Sequence, residues 1–88
     1  MKSVATIEAE RWVELDLTGL RCPLPVLRTR KHLAGLPDGM GLAVVADDPL
    51  ATLDITHLCR EEGHLLAATR LEGTATRFEI VKRRRAVE

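Results

Sequence analysis

Cys22, in the run Leu20-Arg21-Cys22-Pro23-Leu24-Pro25, has the chemistry of a working nucleophile. An unperturbed thiol has a pKa of about 8.5, so only a few per cent is thiolate near neutrality. Cys22 stands where a strand pattern ends and a helix pattern begins. Unpaired N–H groups and the positive end of a helix dipole there favour the thiolate, and Arg21 adds a cation beside it. Pro23 and Pro25 fix φ and preset the turn. The chemistry expected is that of a thiolate that accepts sulfur and gives it away. The alternative is a cap residue with an ordinary thiol.

The remaining reactive residues form no second site. Cys59 follows Leu58 on the apolar side of a second helix pattern, where a free cysteine packs as a small hydrophobe. His57 and Cys59, two apart, do not face one way on a helix, and no compact zinc-ligand motif appears. His32 and His64 read as surface or boundary residues. Asp47-Asp48 lacks the spaced oxygens of a calcium loop and reads as a strand end and turn cap. Gly39-Met40-Gly41 is a turn rather than a phosphate loop. No residue offers itself as a general base, so a hydrolase set is missing. Neither a cofactor nor a metal is expected.

Positioning Cys22 requires a strand before it and a helix after it. Trp12, Val13, Leu15 and Leu17 suit a first strand, with Glu14 and Asp16 alternating away. Gly19 turns the chain, and Pro23 to about Gly35 reads as a helix with Val26, Leu27, Leu33 and Ala34 as its buried stripe. Leu42 to Ala46 is a continuous apolar run, hence an interior strand. A second helix follows Asp48-Pro49, starting there or as late as Thr56, and stops at Gly63. Leu65–Leu71 and Thr76–Val81 read as a hairpin about Glu72-Gly73-Thr74. The order βαβαββ predicts a two-layer α/β sandwich, a four-stranded mixed sheet with two helices on one face. The chain reads as one domain over residues 1–88, with a core of about 12–82 and frayed ends at 1–10 and 84–88.

Composition narrows the class further. Eighty-eight residues bury a thin core, and one Trp with one Phe make that core aliphatic. Two cysteines 37 positions apart are no disulfide framework and suit a reducing compartment. The N-terminal stretch, with Glu8 and Glu10, does not read as a signal peptide, and no run reaches the length of a membrane span. A cytoplasmic protein, without membrane contact and monomeric when free, is expected. The formal net charge is zero. Its distribution is uneven: residues 21–31 carry Arg21, Arg28, Arg30 and Lys31 without an acid, whereas residues 45–62 carry five acids against Arg60 alone. Arg28, Lys31, Asp47 and Asp48 are therefore candidate docking residues for protein partners. The four-residue run Lys82–Arg85, with no aromatic platform, gives little support for direct nucleic-acid binding.

Two blocks together resemble the TusA, or SirA-like, family of small sulfur-carrier proteins. One is Gly19-Leu20-Arg21-Cys22-Pro23-Leu24-Pro25 with Arg30-Lys31. The other runs from Ala46-Asp47-Asp48-Pro49 through Asp54-Ile55 to Cys59 and Gly63-His64. The resemblance spans roughly Val13 to Lys82. Thr56 departs from it, standing where the family often has proline, and Leu24 stands where some members have Glu. The resemblance implies a sulfurtransferase that carries sulfane sulfur as a persulfide on Cys22. Its donor would be a cysteine desulfurase or a rhodanese-like protein. A downstream acceptor protein would serve tRNA thiolation, molybdenum-cofactor assembly or sulfur oxidation. Two other readings compete: a non-enzymatic regulatory or docking module of the same fold, and a redox protein with a Cys22–Cys59 disulfide.

Overall fold

A computed structural model describes residues 11–83; the expected frayed ends, 1–10 and 84–88, lie outside them. The elements run β1 (Trp12–Asp16), α1 (Leu24–Ala34), β2 (Gly41–Ala46), α2 (Ala51–Glu62), β3 (Leu65–Glu72) and β4 (Ala75–Val81). The sheet order is β1-β2-β4-β3. β1 lies parallel to β2, and β4 is antiparallel to both β2 and β3. The expected βαβαββ sandwich is therefore the observed fold, with the hairpin's second strand inserted between β2 and β3.

Local chemistry accounts for the element ends. Gly73, with φ +64°, occupies the first position of the two-residue β3–β4 turn, as a primed hairpin turn requires. Gly63 closes α2 in the left-handed conformation, at φ +78°. α1 ends differently: Lys82 Nζ donates to the carbonyls of Leu33 and Leu36, so the first residue of the basic run caps a helix. α2 starts at Ala51 rather than Thr56, because the Asp48 carbonyl accepts the Ala51 N–H at 3.0 Å and begins the turn early.

The inner face of the sheet supplies Leu42, Val44, Phe78 and Ile80 to a core completed by Leu17, Leu33, Ile55, Leu58 and Cys59. The stripe of α1 differs from expectation. Pro25, Thr29 and Leu33 are buried, whereas Leu27 and Ala34 are exposed. Thr29 is tolerated inside because its hydroxyl donates to the Pro25 carbonyl at 2.8 Å. On the opposite face Arg77 bridges Glu14 and Glu79, and Arg70 adds to Glu79. Trp12 lies over Gly41 there, where a Cβ would collide with the indole ring.

Candidate functional site: a thiol at the end of an apolar cleft

Helices α1 and α2 do not close over their whole length. Between them lies a cleft of about 500 Å³ lined by Cys22, Pro23, Val26, Arg30, Leu53, Asp54, His57, Leu58 and Glu61. Leu24, Leu27, Leu50 and Leu53 are exposed hydrophobics; Leu53, which lines the cleft, is 70% exposed. Single exposed leucines are ordinary, but an apolar cleft that contains an accessible thiol suits a contact surface.

The loop that carries Cys22 is braced by the end of β2. Asp47 accepts the Gly19 N–H at 2.9 Å and pairs with Arg21 Nη1 at 2.9 Å. Asp48 accepts the Cys22 N–H at 3.0 Å. The Cys22–Pro23 peptide is cis. These two acids are the ones expected as docking residues. Asp48 is only 9% exposed, and Asp47 is held by the loop it supports. Both position the thiol's backbone.

The thiol's electrostatics also differ from expectation. The Cys22 thiol donates to Asp54 Oδ2 at 3.2 Å. That hydrogen bond, with loss of solvent and the charges of Asp54 and Asp48, pushes its pKa above the ordinary thiol value. Two of the three residues after Cys22 are prolines without an N–H, and the third, Leu24, donates to the Arg21 carbonyl at 2.8 Å. The helix start thus offers few donors to an anion. Arg21, expected to stabilise the anion, pairs through Nη1 with Asp47 at 2.9 Å, and its side chain is 60% exposed. Cys22 is exposed and free at rest, and the groups around it favour the thiol.

Cys59 is buried and free, and burial pushes its thiol up to about 11. It packs in the core, as expected. Among the described residues no cluster of three or more His, Cys, Asp or Glu could hold a metal ion. His64 has a buried side chain whose Nδ1 accepts the Arg83 N–H at 3.1 Å. Burial lowers its pKa. His32 is exposed, with Nδ1 3.0 Å from the Arg28 carbonyl.

The expected docking cations also separate. On α1 the cleft takes Pro23, Val26 and Arg30. At about 100° per residue, Arg28 is some 200° round from both Val26 and Arg30. Lys31 lines a separate cavity with His32, Gly35 and Leu36. Sequence reasoning missed Arg30, Asp54, His57 and Glu61 as site residues. Their spacing held the signal: 23, 26 and 30 make one helical face, and 54, 57, 58 and 61 make another.

A two-layer sandwich with one accessible cysteine at an interhelical cleft defines a small thiol-bearing domain. The chain belongs to the sulfurtransferase TusA family, whose match covers residues 13–82. The family function is that of a small sulfur carrier, a persulfide relay. A solved structure of a SirA-like protein from Desulfitobacterium hafniense shares the fold, with TM-score 0.71 and 22% identity over 80% of this chain and 96% of that one. No helix among the described residues is long and apolar enough to cross a membrane.

Proposed function

We propose that Cys22 is the sulfur-bearing residue, loaded as Cys22-S-SH by a cysteine desulfurase or rhodanese-like donor and unloaded by a thiol of an acceptor protein. The observation that carries this reading is the contrast in access: Cys22 is exposed at the cleft and Cys59 is buried. Both transfers are thiol exchanges, so the protein supplies an exposed sulfur and a surface that seats the partner. Pro23 and Pro25 keep the thiol's turn short of chain freedom, and Arg21 ties it to Asp47. The apolar lining and Arg30 receive the partner, with the exposed Arg28 and Lys31 contributing longer-range steering.

The test is intact-protein mass after incubation with a cysteine desulfurase and cysteine. The wild-type protein should gain one sulfur that a reductant removes. Cys22→Ser should gain none, and Cys59→Ala should gain as the wild type does. Equal loading of both cysteines, or loading that survives Cys22→Ser, would overturn the assignment. A wild-type protein that never loads would return the regulatory-module reading.

A further inference from the structure

Asp54 is half-buried in the first turn of α2, and its carboxylate faces the thiol from 32 residues downstream. Each neighbouring basic side chain has another partner: Arg21 is on Asp47 at 2.9 Å, Arg30 on Glu62 at 3.4 Å, and His57 on Glu61 at 3.4 Å. Asp54 Oδ2 is therefore the acceptor toward which the thiol hydrogen points, and both groups line the same cleft. A carboxylate at 3.2 Å is close enough to receive that proton when the sulfur reacts.

From this geometry we propose that Asp54 is a catalytic residue of sulfur receipt, holding Cys22 as a thiol at rest and taking its proton as Sγ attacks a donor persulfide seated in the cleft. The proposal rests on Cys22 being the sulfur-bearing residue. In the step, the Cys22 thiol gives its proton to Asp54 while its electron pair bonds to the terminal sulfur of R–S–SH. The donor S–S bond breaks, and R–S⁻ leaves with the electron pair of that broken bond and takes the proton from Asp54. The products are Cys22–S–SH and R–SH. The oxidation level of the sulfane sulfur moves from one thiol to another, so no outside oxidant is needed.

This arrangement separates two kinds of reactivity. An electrophile in free solution reacts with the thiolate, which Asp54 and Asp48 make scarce. A persulfide held in the cleft meets the thiol and its base together. The other ionisable groups facing Cys22 and the cleft are Asp48, Arg30, His57 and Glu61, with the Arg21–Asp47 pair on the loop that precedes the thiol. All of them remain in a variant changed only at Asp54.

Asp54→Asn keeps the shape and removes the charge and basicity, so it should move two rates in opposite directions. Alkylation of Cys22 by iodoacetamide at pH 7 should rise severalfold, because the thiol loses its nearest negative charge. Sulfur receipt from a desulfurase at pH 6 should fall about tenfold or more, because the base is gone. The variant must then react through its thiolate, so the wild-type to variant ratio of transfer rates should shrink as pH rises, by up to about tenfold per unit. Taking the ratio cancels titration of the donor. A ratio constant with pH, a variant faster at every pH, or unchanged alkylation would overturn the role while wild-type loading left Cys22 as the carrier. If Asp54→Asn fails to fold, the wild-type protein decides. Transfer that climbs with pH in parallel with alkylation makes the thiolate the reacting species and rejects the proposal; transfer that climbs less supports it.

Discussion

Cys22 at the cleft and Cys59 in the core both hold their protons more tightly than a free thiol, but for different reasons. Asp54 is the largest cause at Cys22, through a hydrogen bond on an exposed sulfur. At Cys59 the cause is burial between α2 and the sheet, which raises the thiol to about 11. A brake made of charge can be released by a partner, a proton or one substitution, and leaves the sulfur in reach. A brake made of packing is released only by opening the fold. The same chain thus holds one thiol that is quiet but available and another that is simply inert.

The contrast is broken most directly by opening the core. In the native protein, iodoacetamide should label Cys22 alone. Cys59 should lag by about three orders of magnitude or more, since its labelling awaits an opening reaction costing several kcal/mol. Phe78→Ala removes the largest fully buried side chain and should cost about 3–5 kcal/mol. Labelling of Cys59 should then accelerate by a hundredfold or more, by the same exponential relation, while the Cys22 rate stays near that of the wild type. Mass mapping of the labelled peptides reads both sites. Comparable native labelling of the two cysteines would end the distinction.

What could be read in advance follows the same division. The packing of Cys59 was legible, because its position beside Leu58 in an apolar helical stripe already implies burial. The order of elements was legible for a similar reason: alternation in β1 and the continuous run of β2 reflect how many faces of each strand are covered. The quieting of Cys22 was not. It depends on Asp54, which reaches the thiol only once α2 has packed beside α1, and on Asp48, which the pairing of β1 with β2 brings to the Cys22 backbone. Local reading counted helix-start amides near Cys22, yet Pro23 and Pro25 have none to give. Leu27 and Ala34 were placed inside because they are apolar. Thr29 takes the interior because its hydroxyl finds the Pro25 carbonyl, and Leu27 remains outside. Apolar residues left exposed can mark a site as readily as a core, and composition does not distinguish the two.

A smaller effect sharpens the comparison through pH. The folded Cys59 value of about 11 lies well above that of an ordinary thiol, so the folded state favours the protonated form. A group raised in this way contributes stability in full below the unfolded value and loses it as pH climbs through the folded one. Denaturant unfolding should show stability declining between about pH 9 and pH 11, with part of that decline absent in Cys59→Ala. Cys22→Ala should leave most of the decline in place. An identical pH profile for the wild type and Cys59→Ala would show that the buried thiol is not coupled to folding.

The smallest effect concerns which charges belong to the cleft. Arg30 lines it, half exposed and 3.4 Å from Glu62, whereas Arg28 is exposed on another face of α1. A single charge steers association by a few-fold at low ionic strength, and a Debye length of about 8 Å at physiological salt suppresses much of that. Arg30→Glu should therefore slow sulfur receipt about two- to five-fold at low salt, with the difference shrinking as salt is added. Arg28→Glu should produce a smaller change with the same salt dependence, because its charge acts from outside the contact. Neither change touches Cys22, so alkylation rates should stay close to that of the wild type. Stopped-flow transfer at two ionic strengths, run beside alkylation, separates encounter from chemistry. An Arg28 effect larger than the Arg30 effect would move the contact surface off the cleft, toward Arg28 and the other docking residues read from the sequence.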